Sequence, residues 1–226
     1  MLFFSFFFLP CNVVCSLKEF FLDFGQNFCI IDSMKKLILA SASPRRKEAL
    51  KKLHIPFLSI PNNVDEEKET KNLKIHPEDF ALYLSKKKAE TVSTRYPADF
   101  ILGMDTIVVL DEEIIGKPKD KKDAIGMLWK LNGRWHRVIT GITLVNEKML
   151  YKESKRVITD VKFFRHKKTF IKEYVAKGES LDKAGGYGIQ LEGRYLVEKI
   201  KGDYSNVVGF PEETVLGMLK RAEIIE

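Results

Sequence analysis

One carboxylate, Asp105, stands in the middle of an otherwise apolar run, FILGMDTIVVL, from Phe100 to Leu110. An ionised group inside a strand is costly unless it is paired, hydrogen-bonded or metal-bound, so Asp105 is a candidate metal ligand or general base. Gly103 beside it points to close backbone approach rather than routine pleating; the alternative is a strand-end Asp on the solvent face. A second group of reactive types lies in SASPRR, residues 41–46, where Arg45 and Arg46 fall on the first turn of a helix directly after a strand. Free backbone N–H groups and the positive end of a helix dipole attract anions, and arginine supplies forked donors suited to phosphate oxygens. The geometry suits a polyphosphate. The competing reading is a capped helix with two solvated arginines.

Three further segments, NVDEE at 63–67, SKKKAE at 85–90 and IIGKPKD at 114–120, supply Glu66, Lys88 and Lys117. Hydrolysis between phosphates needs cations to neutralise the bridging and leaving oxygens, carboxylates to hold a metal, and a base to orient water. Each lysine taken alone reads as solvent-facing; only the combination has weight. The Gly-rich stretch LDKAGGYGIQ at 181–190 adds backbone shapes that permit close approach to a ligand. Tyr187 could pack on a base there, and the donor and acceptor of the Gln190 amide could read a pyrimidine edge. A turn without any ligand is the alternative.

The elements that must position these groups alternate between strand and helix. KKLILA, from Lys35 to Ala40, reads as a strand. The small polar group SAS follows, then a helix opening at Pro44, with Ser43 as N-cap and Pro44 at the position where a missing N–H costs nothing. Further along, the pattern predicts a helix from Pro77 to Val92, a strand from Phe100 to Leu110, a helix from Asp120 to Leu131, a turn at Asn132–Gly133 and a strand from Trp135 to Asn146. Beyond these come a strand from Val157 to Phe164, a helix from Thr169 to Ala176, a strand from Tyr195 to Ile200 and a helix from Pro211 to Arg221. This is an α/β chain, and its 226 residues suffice for one domain or two closely packed lobes.

The first 33 residues differ in kind. They hold nine of the sixteen Phe and all three Cys, and one Lys against Glu19, Asp23 and Asp32; the remaining 37 basic and 28 acidic residues leave residues 34–226 at +9. Residues 1–33 read as an extension outside the fold, with Met34 as the working start and residues 34–226 as the functional domain. A peripheral membrane anchor and a cleaved signal are the alternatives, although no basic region precedes the short apolar stretch. A Cys-free remainder fits a reducing compartment and places the protein in the cytoplasm. The basic balance favours phosphate-bearing partners without choosing among nucleotides, RNA and anionic membrane.

Taken in order and at these separations, SASPRRKEAL, GMDTIVVLDEEIIGKP, LNGRWHRVITG and LDKAGGYGIQ resemble the Maf family of nucleotide pyrophosphatases, and the resemblance runs from about Leu37 to Gly217. It implies a mixed central sheet flanked by helices, two lobes with a cleft between them in the inosine-triphosphatase-like manner, and a homodimer. It implies a nucleoside triphosphate substrate, cleaved to monophosphate and pyrophosphate, with Asp105 as the base that activates water. It also implies a divalent cation, Mg²⁺ or Mn²⁺, held by Asp105 and Glu66. Ser43, Arg45, Arg46, Lys88 and Lys117 would hold the triphosphate. Arg45, Thr106 and Gln190 match the positions that mark the dTTP/UTP subfamily, so dTTP and UTP, together with modified pyrimidine triphosphates, are the expected substrates.

Other classes of function stay open at this stage. A nucleic-acid-binding module would show steep salt dependence and would not need Asp105, so nucleic acid and membrane are not the expected partners. A division regulator that binds nucleotide without turnover, and specificity for 7-methyl-GTP, are the remaining alternatives.

Overall fold

The computed structural model describes residues 35–70 and 73–226, so the Phe- and Cys-rich segment lies outside the described residues. Seven strands form one mixed sheet: β1 (Leu37–Leu39), β2 (Leu58–Ser59), β3 (Phe100–Leu110), β4 (Glu113–Ile115), β5 (Trp135–Asn146), β6 (Tyr151–Phe163) and β7 (Val197–Lys201). Their order is β2-β1-β3-β5-β6-β7, with β4 beside β3. Strands β1, β2 and β3 run parallel, and the remaining pairings are antiparallel. The helices are α1 (Pro44–Lys52), α2 (Glu66–Thr70), α3 (Pro77–Ser93), α4 (Lys121–Leu131), α5 (Lys168–Ala176), α6 (Tyr204–Val208) and α7 (Glu212–Arg221), with 3₁₀ turns at Ala184–Gly186 and Leu191–Leu196. Among the described residues no helix is long and apolar enough to cross a membrane.

Side chains alternate across β3, and both faces are covered. Phe100, Leu102 and Met104 pack with Leu50 of α1 and with Val215, Met218 and Leu219 of α7. Farther along the same face, Val108 and Leu110 pack with α4 and α5 through Ala124, Leu128, Ile171 and Val175. The opposite face meets α3: Ile101 lies against Ala89 and Val92, while Ile107 and Val109 lie against Ala81. A strand buried on both faces reads as a continuous apolar run, which is why the polar exceptions in β3 are informative.

Helix α3 sits unusually low on the sheet because two glycines lie beneath it. A methyl group at Gly103 would stand 2.4 Å from Ser85 O, and one at Gly141 would stand 2.2 Å from Ala81 O. Gly141 is the registered partner of Asp105 on β5. Removing both side chains lets the helix backbone approach the strands, and this approach brings the middle of α3 within reach of Asp105.

The two edges of β3 are also unequal. β5 pairs along it from Ile101 to Val109, whereas the other edge is shared, with β1 from Phe100 to Leu102 and β4 from Val108 to Leu110. Residues 103–107 are left without a strand partner on that side, just where β1 turns away into α1. Crevices of this kind, outside the carboxyl ends of parallel strands, are where α/β sheets take ligands.

Some boundaries depart from the sequence expectations. β6 begins at Tyr151 rather than Val157, because the hairpin with β5 continues to the Asn146–Tyr151 pair through charged residues that carry no apolar alternation. Tyr195 and Leu196 belong to a 3₁₀ turn, and β7 begins at Val197. The short elements β2, β4, α2 and α6 fall below the length at which periodicity identifies an element.

Candidate active site

A cavity of about 430 Å³ opens at the gap in the β3 edge. Ser43, Arg45, Arg46, Glu66, Lys88, Asp105, Thr106, Lys117 and Gln190 all line it, so the structure brings together every site residue expected from the sequence. They arrive on α1, α2, α3, β3, the loop after β4 and the glycine loop.

The floor is an ion triad. Lys88 Nζ lies 2.6 Å from Asp105 Oδ1 and 2.7 Å from Glu66 Oε1. Lys88 and Asp105 are both buried, whereas Glu66, at the start of α2, is partly open to the cavity. Burial works against the Glu66 charge, but Lys88, Lys117 and Arg46 together outweigh it and hold the carboxyl below its usual pKa. Each carboxylate gives one oxygen to Lys88, and neither Asp105 Oδ2 nor Glu66 Oε2 has a hydrogen bond or ion pair among the described residues. Mg²⁺ commonly binds through one or two carboxylates and completes its shell with phosphate and water, so this donor pair fits such an ion. Among the described residues there is no cluster of three or more His, Cys, Asp or Glu able to cage a metal, and a phosphate-completed shell does not need one.

Arg46 reaches the cavity, but its donors are largely engaged by the protein. Nη1 donates to Met104 O at 2.8 Å, on the β3 segment that lacks a strand partner, and also to Ser41 Oγ at 3.4 Å. Nε donates to Gly209 O at 3.1 Å, and Nη2 to Thr106 Oγ1 at 3.0 Å. Burial lowers the Arg46 pKa, and Asp105 partly offsets that effect. The side chain thus acts as a clamp joining α1, β3 and the end of α6, and it brings a positive charge to the cavity wall. Thr106 is equally engaged, since its hydroxyl also lies 3.0 Å from Thr140 Oγ1.

Ser43 occupies the N-cap position of α1 without capping it; its own N–H donates instead to Ser41 Oγ. Because Pro44 has no N–H, the orphan donors of the first turn are the amides of Arg45 and Arg46, and these are available to an anion. Lys117 is exposed on the loop after β4 and makes no hydrogen bond or ion pair among the described residues.

The glycine loop is held from several sides. Gly185 N donates to Gly116 O at 2.9 Å, and Gly188 N donates to Tyr174 Oη at 3.4 Å. Gly185 and Gly186 take positive φ values of 69° and 71°, which favour glycine. Tyr187 turns inward, packs edge-on against His136 and Phe163, and lies 2.7 Å from His136 Nε2 through its hydroxyl. Its ring supports the cavity from beneath rather than standing free to stack on a base. Gln190 is exposed at the rim. Sequence reasoning missed Asp182 and Lys183 in the same loop. Their only signal was an adjacent acid and base ahead of the glycine run, yet Asp182 Oδ2 accepts from Arg45 Nη1 at 2.9 Å and Oδ1 from Lys183 Nζ at 2.5 Å.

Comparison with known proteins gives a consistent result. The family described as "Maf-like protein" matches residues 36–222. The dTTP/UTP pyrophosphatase of Clostridioides difficile (strain 630) is 45% identical over 188 residues, covering 82% of this chain and 94% of that one. The enzymes of the same name from Thermosipho africanus and Pyrococcus furiosus are 47% and 41% identical; they cover 81% and 83% of this chain, and the matches span 92% and 95% of their own lengths. Among solved structures, the Ham1 protein of Staphylococcus aureus aligns with a TM-score of 0.46 at 11% identity, over 84% of this chain and 100% of that chain.

Proposed function

This chain belongs to the Maf family, and from that premise we propose that it is a nucleoside triphosphate pyrophosphatase that hydrolyses dTTP and UTP to the monophosphate and pyrophosphate. The observation that carries this reading is a cavity where a buried carboxylate at the gap in β3 shares the lining with Arg45, Arg46, Lys88 and Lys117 beside the open N-terminus of α1. Binding alone does not need a carboxylate on the floor of a phosphate site, because it would repel the ligand. Hydrolysis needs one, to take the proton from water.

In this mechanism the triphosphate lies across the cavity with its phosphates on the Arg45 and Arg46 amides, Ser43, Lys117 and Lys88. Water attacks the α-phosphorus, Asp105 accepts the proton, and the bond from that phosphorus to the bridging oxygen breaks to release pyrophosphate. Lys88 and Lys117 offset the negative charge that develops on the leaving group. Asp105 and Glu66 would hold the divalent cation, Mg²⁺ or Mn²⁺, which when bound withdraws charge from the phosphate oxygens. The exposed amide of Gln190 and the guanidinium of Arg45 stand at the rim, where the base of a triphosphate anchored on α1 would reach, and modified pyrimidine triphosphates with the same hydrogen-bonding edge fall within this class.

The reading also comprises a homodimer in the cytoplasm, with catalysis in residues 34–226. The family match beginning at residue 36 supports that boundary, and sedimentation velocity would check the dimer. The test of function is pyrophosphate release from a panel of triphosphates including dTTP, UTP, CTP, ATP, GTP and 7-methyl-GTP. Preferential, metal-dependent release from dTTP and UTP is the expected outcome. Folded protein that binds these nucleotides without turnover would make it a sensor, and preference for 7-methyl-GTP would reassign the substrate.

A further inference from the structure

Three carboxylates line the cavity, and the third, Asp182, has no part in the chemistry described above. It sits at the rim, its side chain 61% exposed, in a cavity built to attract polyphosphate. A negative charge in that position should weaken binding unless it serves another purpose. Its two oxygens are divided: one accepts from Arg45 on α1, the other from Lys183 in its own loop.

Lys183 is itself fixed. Its ammonium also donates to Glu179 O at 2.7 Å, and its aliphatic stem lies so close to Gly188 that a methyl group there would stand 2.7 Å from Lys183 Cε. The chain of contacts therefore runs from Glu179 through Lys183 and Asp182 to Arg45, and it is pressed against the strand of loop that ends in Gln190. This acceptor thus has both oxygens engaged within the protein. It presents one face of the guanidinium to a fixed point and leaves the remaining N–H donors directed elsewhere, which the planar fork of arginine permits and the single point charge of lysine does not.

We propose that Asp182 is a positioning residue for substrate selection: it fixes the Arg45 guanidinium relative to Gln190, so that the two together form one preorganised recognition edge at the rim. The proposal rests on the nucleotide reading above. It differs from a gate, in which Asp182 would mask Arg45 and compete with substrate. A strut lowers KM and sharpens selectivity, whereas a gate raises KM.

The test uses the full chain as wild type, Asp182→Ala, Arg45→Ala and the double variant, with Mg²⁺ and either dTTP or CTP. Asp182→Ala should raise KM for dTTP about tenfold with a much smaller change in kcat, as expected for loss of one charge-assisted hydrogen bond that orients a binding group. The preference for dTTP over CTP should fall with it. In the double variant, KM should match that of Arg45→Ala alone, because two residues acting through one guanidinium are not additive. Asp182→Asn, which keeps an acceptor without the charge, should fall between wild type and Asp182→Ala, and it replaces the alanine variant if that protein fails to fold. A lower or unchanged KM in the single variant, or additive effects in the double, would overturn the proposal. Calorimetric titration of dTTP into the same proteins separates this outcome from failure of the enzyme reading. Absence of turnover by wild type would overturn the function, while non-additive Kd values would still support the role of Asp182 and additive ones would reject it.

Discussion

The floor and the rim of the cavity use the same chemistry in opposite physical settings. On the floor, Lys88 and Asp105 are 7% and 8% exposed in their side chains, one on helix α3 and the other on strand β3 against which that helix packs. At the rim, Arg45 and Asp182 form a pair of similar length at 29% and 61% exposure, one partner on a helix terminus and the other on a loop. In water such a pair contributes little to stability and is screened by salt; in a packed interior, breaking one is costly. The floor therefore ties reactivity to the integrity of the fold, while the rim can change its ligand preference at little structural cost. Rigid scaffold beneath adaptable loops is the usual division of labour in a binding site.

Four perturbations test that contrast. The largest effect belongs to Lys88→Met, which leaves Asp105 and Glu66 facing one another without their shared cation. Urea denaturation should show a loss of about 3–5 kcal/mol, and pyrophosphate release should disappear.

Next comes acid. Burial holds the His136 imidazole beneath the glycine loop at a pKa of about 4, against 6.5 in the unfolded chain. A depressed folded pKa means that its contribution is complete above pH 6.5 and is lost as pH falls toward 4, because only the unfolded state takes up the proton in that window. The shift corresponds to about 3 kcal/mol, so the stability advantage of wild type over His136→Asn should narrow by that amount between pH 7 and pH 4.

Gly141→Ala drives a methyl group into the α3 backbone and should cost about 1–3 kcal/mol, read as a lower urea midpoint. Activity should fall with it, because α3 carries Lys88.

The smallest effect is that of Gln190→Ala at the rim. It should leave stability unchanged and reduce the dTTP-over-CTP ratio of kcat/KM by about tenfold, the value of one or two hydrogen bonds. If this variant destabilised the protein as much as Lys88→Met, the contrast between floor and rim would fail.

Much of this arrangement is legible in the sequence. Asp105 stands out because β3 is buried on both faces, so a lone carboxylate breaks its apolar run. The start of α1 is marked by Ser43 and Pro44, and that of α3 by Pro77. Three of the four motifs hold Ser43, Arg45, Arg46, Asp105, Thr106, Lys117 and Gln190, whereas Glu66 and Lys88 come from the separate segments NVDEE and SKKKAE. The partners of those residues were not legible. Nothing local to Arg46 shows that Gly209 O, 163 residues away, accepts from its Nε, and nothing local to Asp182 shows that α1 places Arg45 opposite it. Tyr187 likewise reads as a base-stacking ring; only the packing with His136 and Phe163 assigns it to the support beneath the cavity. Local pattern identifies elements and isolated charges, but it carries no information about which distant donor meets which acceptor.

The central claim is that the buried Asp105 makes this cavity hydrolytic. The most direct measurement is pyrophosphate release from dTTP and UTP with Mg²⁺ or Mn²⁺ by the full chain, by residues 34–226 and by Asp105→Asn, with nucleotide affinity measured in parallel. Metal-dependent release by the first two proteins is predicted, with a loss of about 10²–10⁴-fold in kcat for Asp105→Asn while dTTP still binds. Folded wild-type protein that releases no pyrophosphate, or an Asp105→Asn variant that turns over at the wild-type rate, would contradict it.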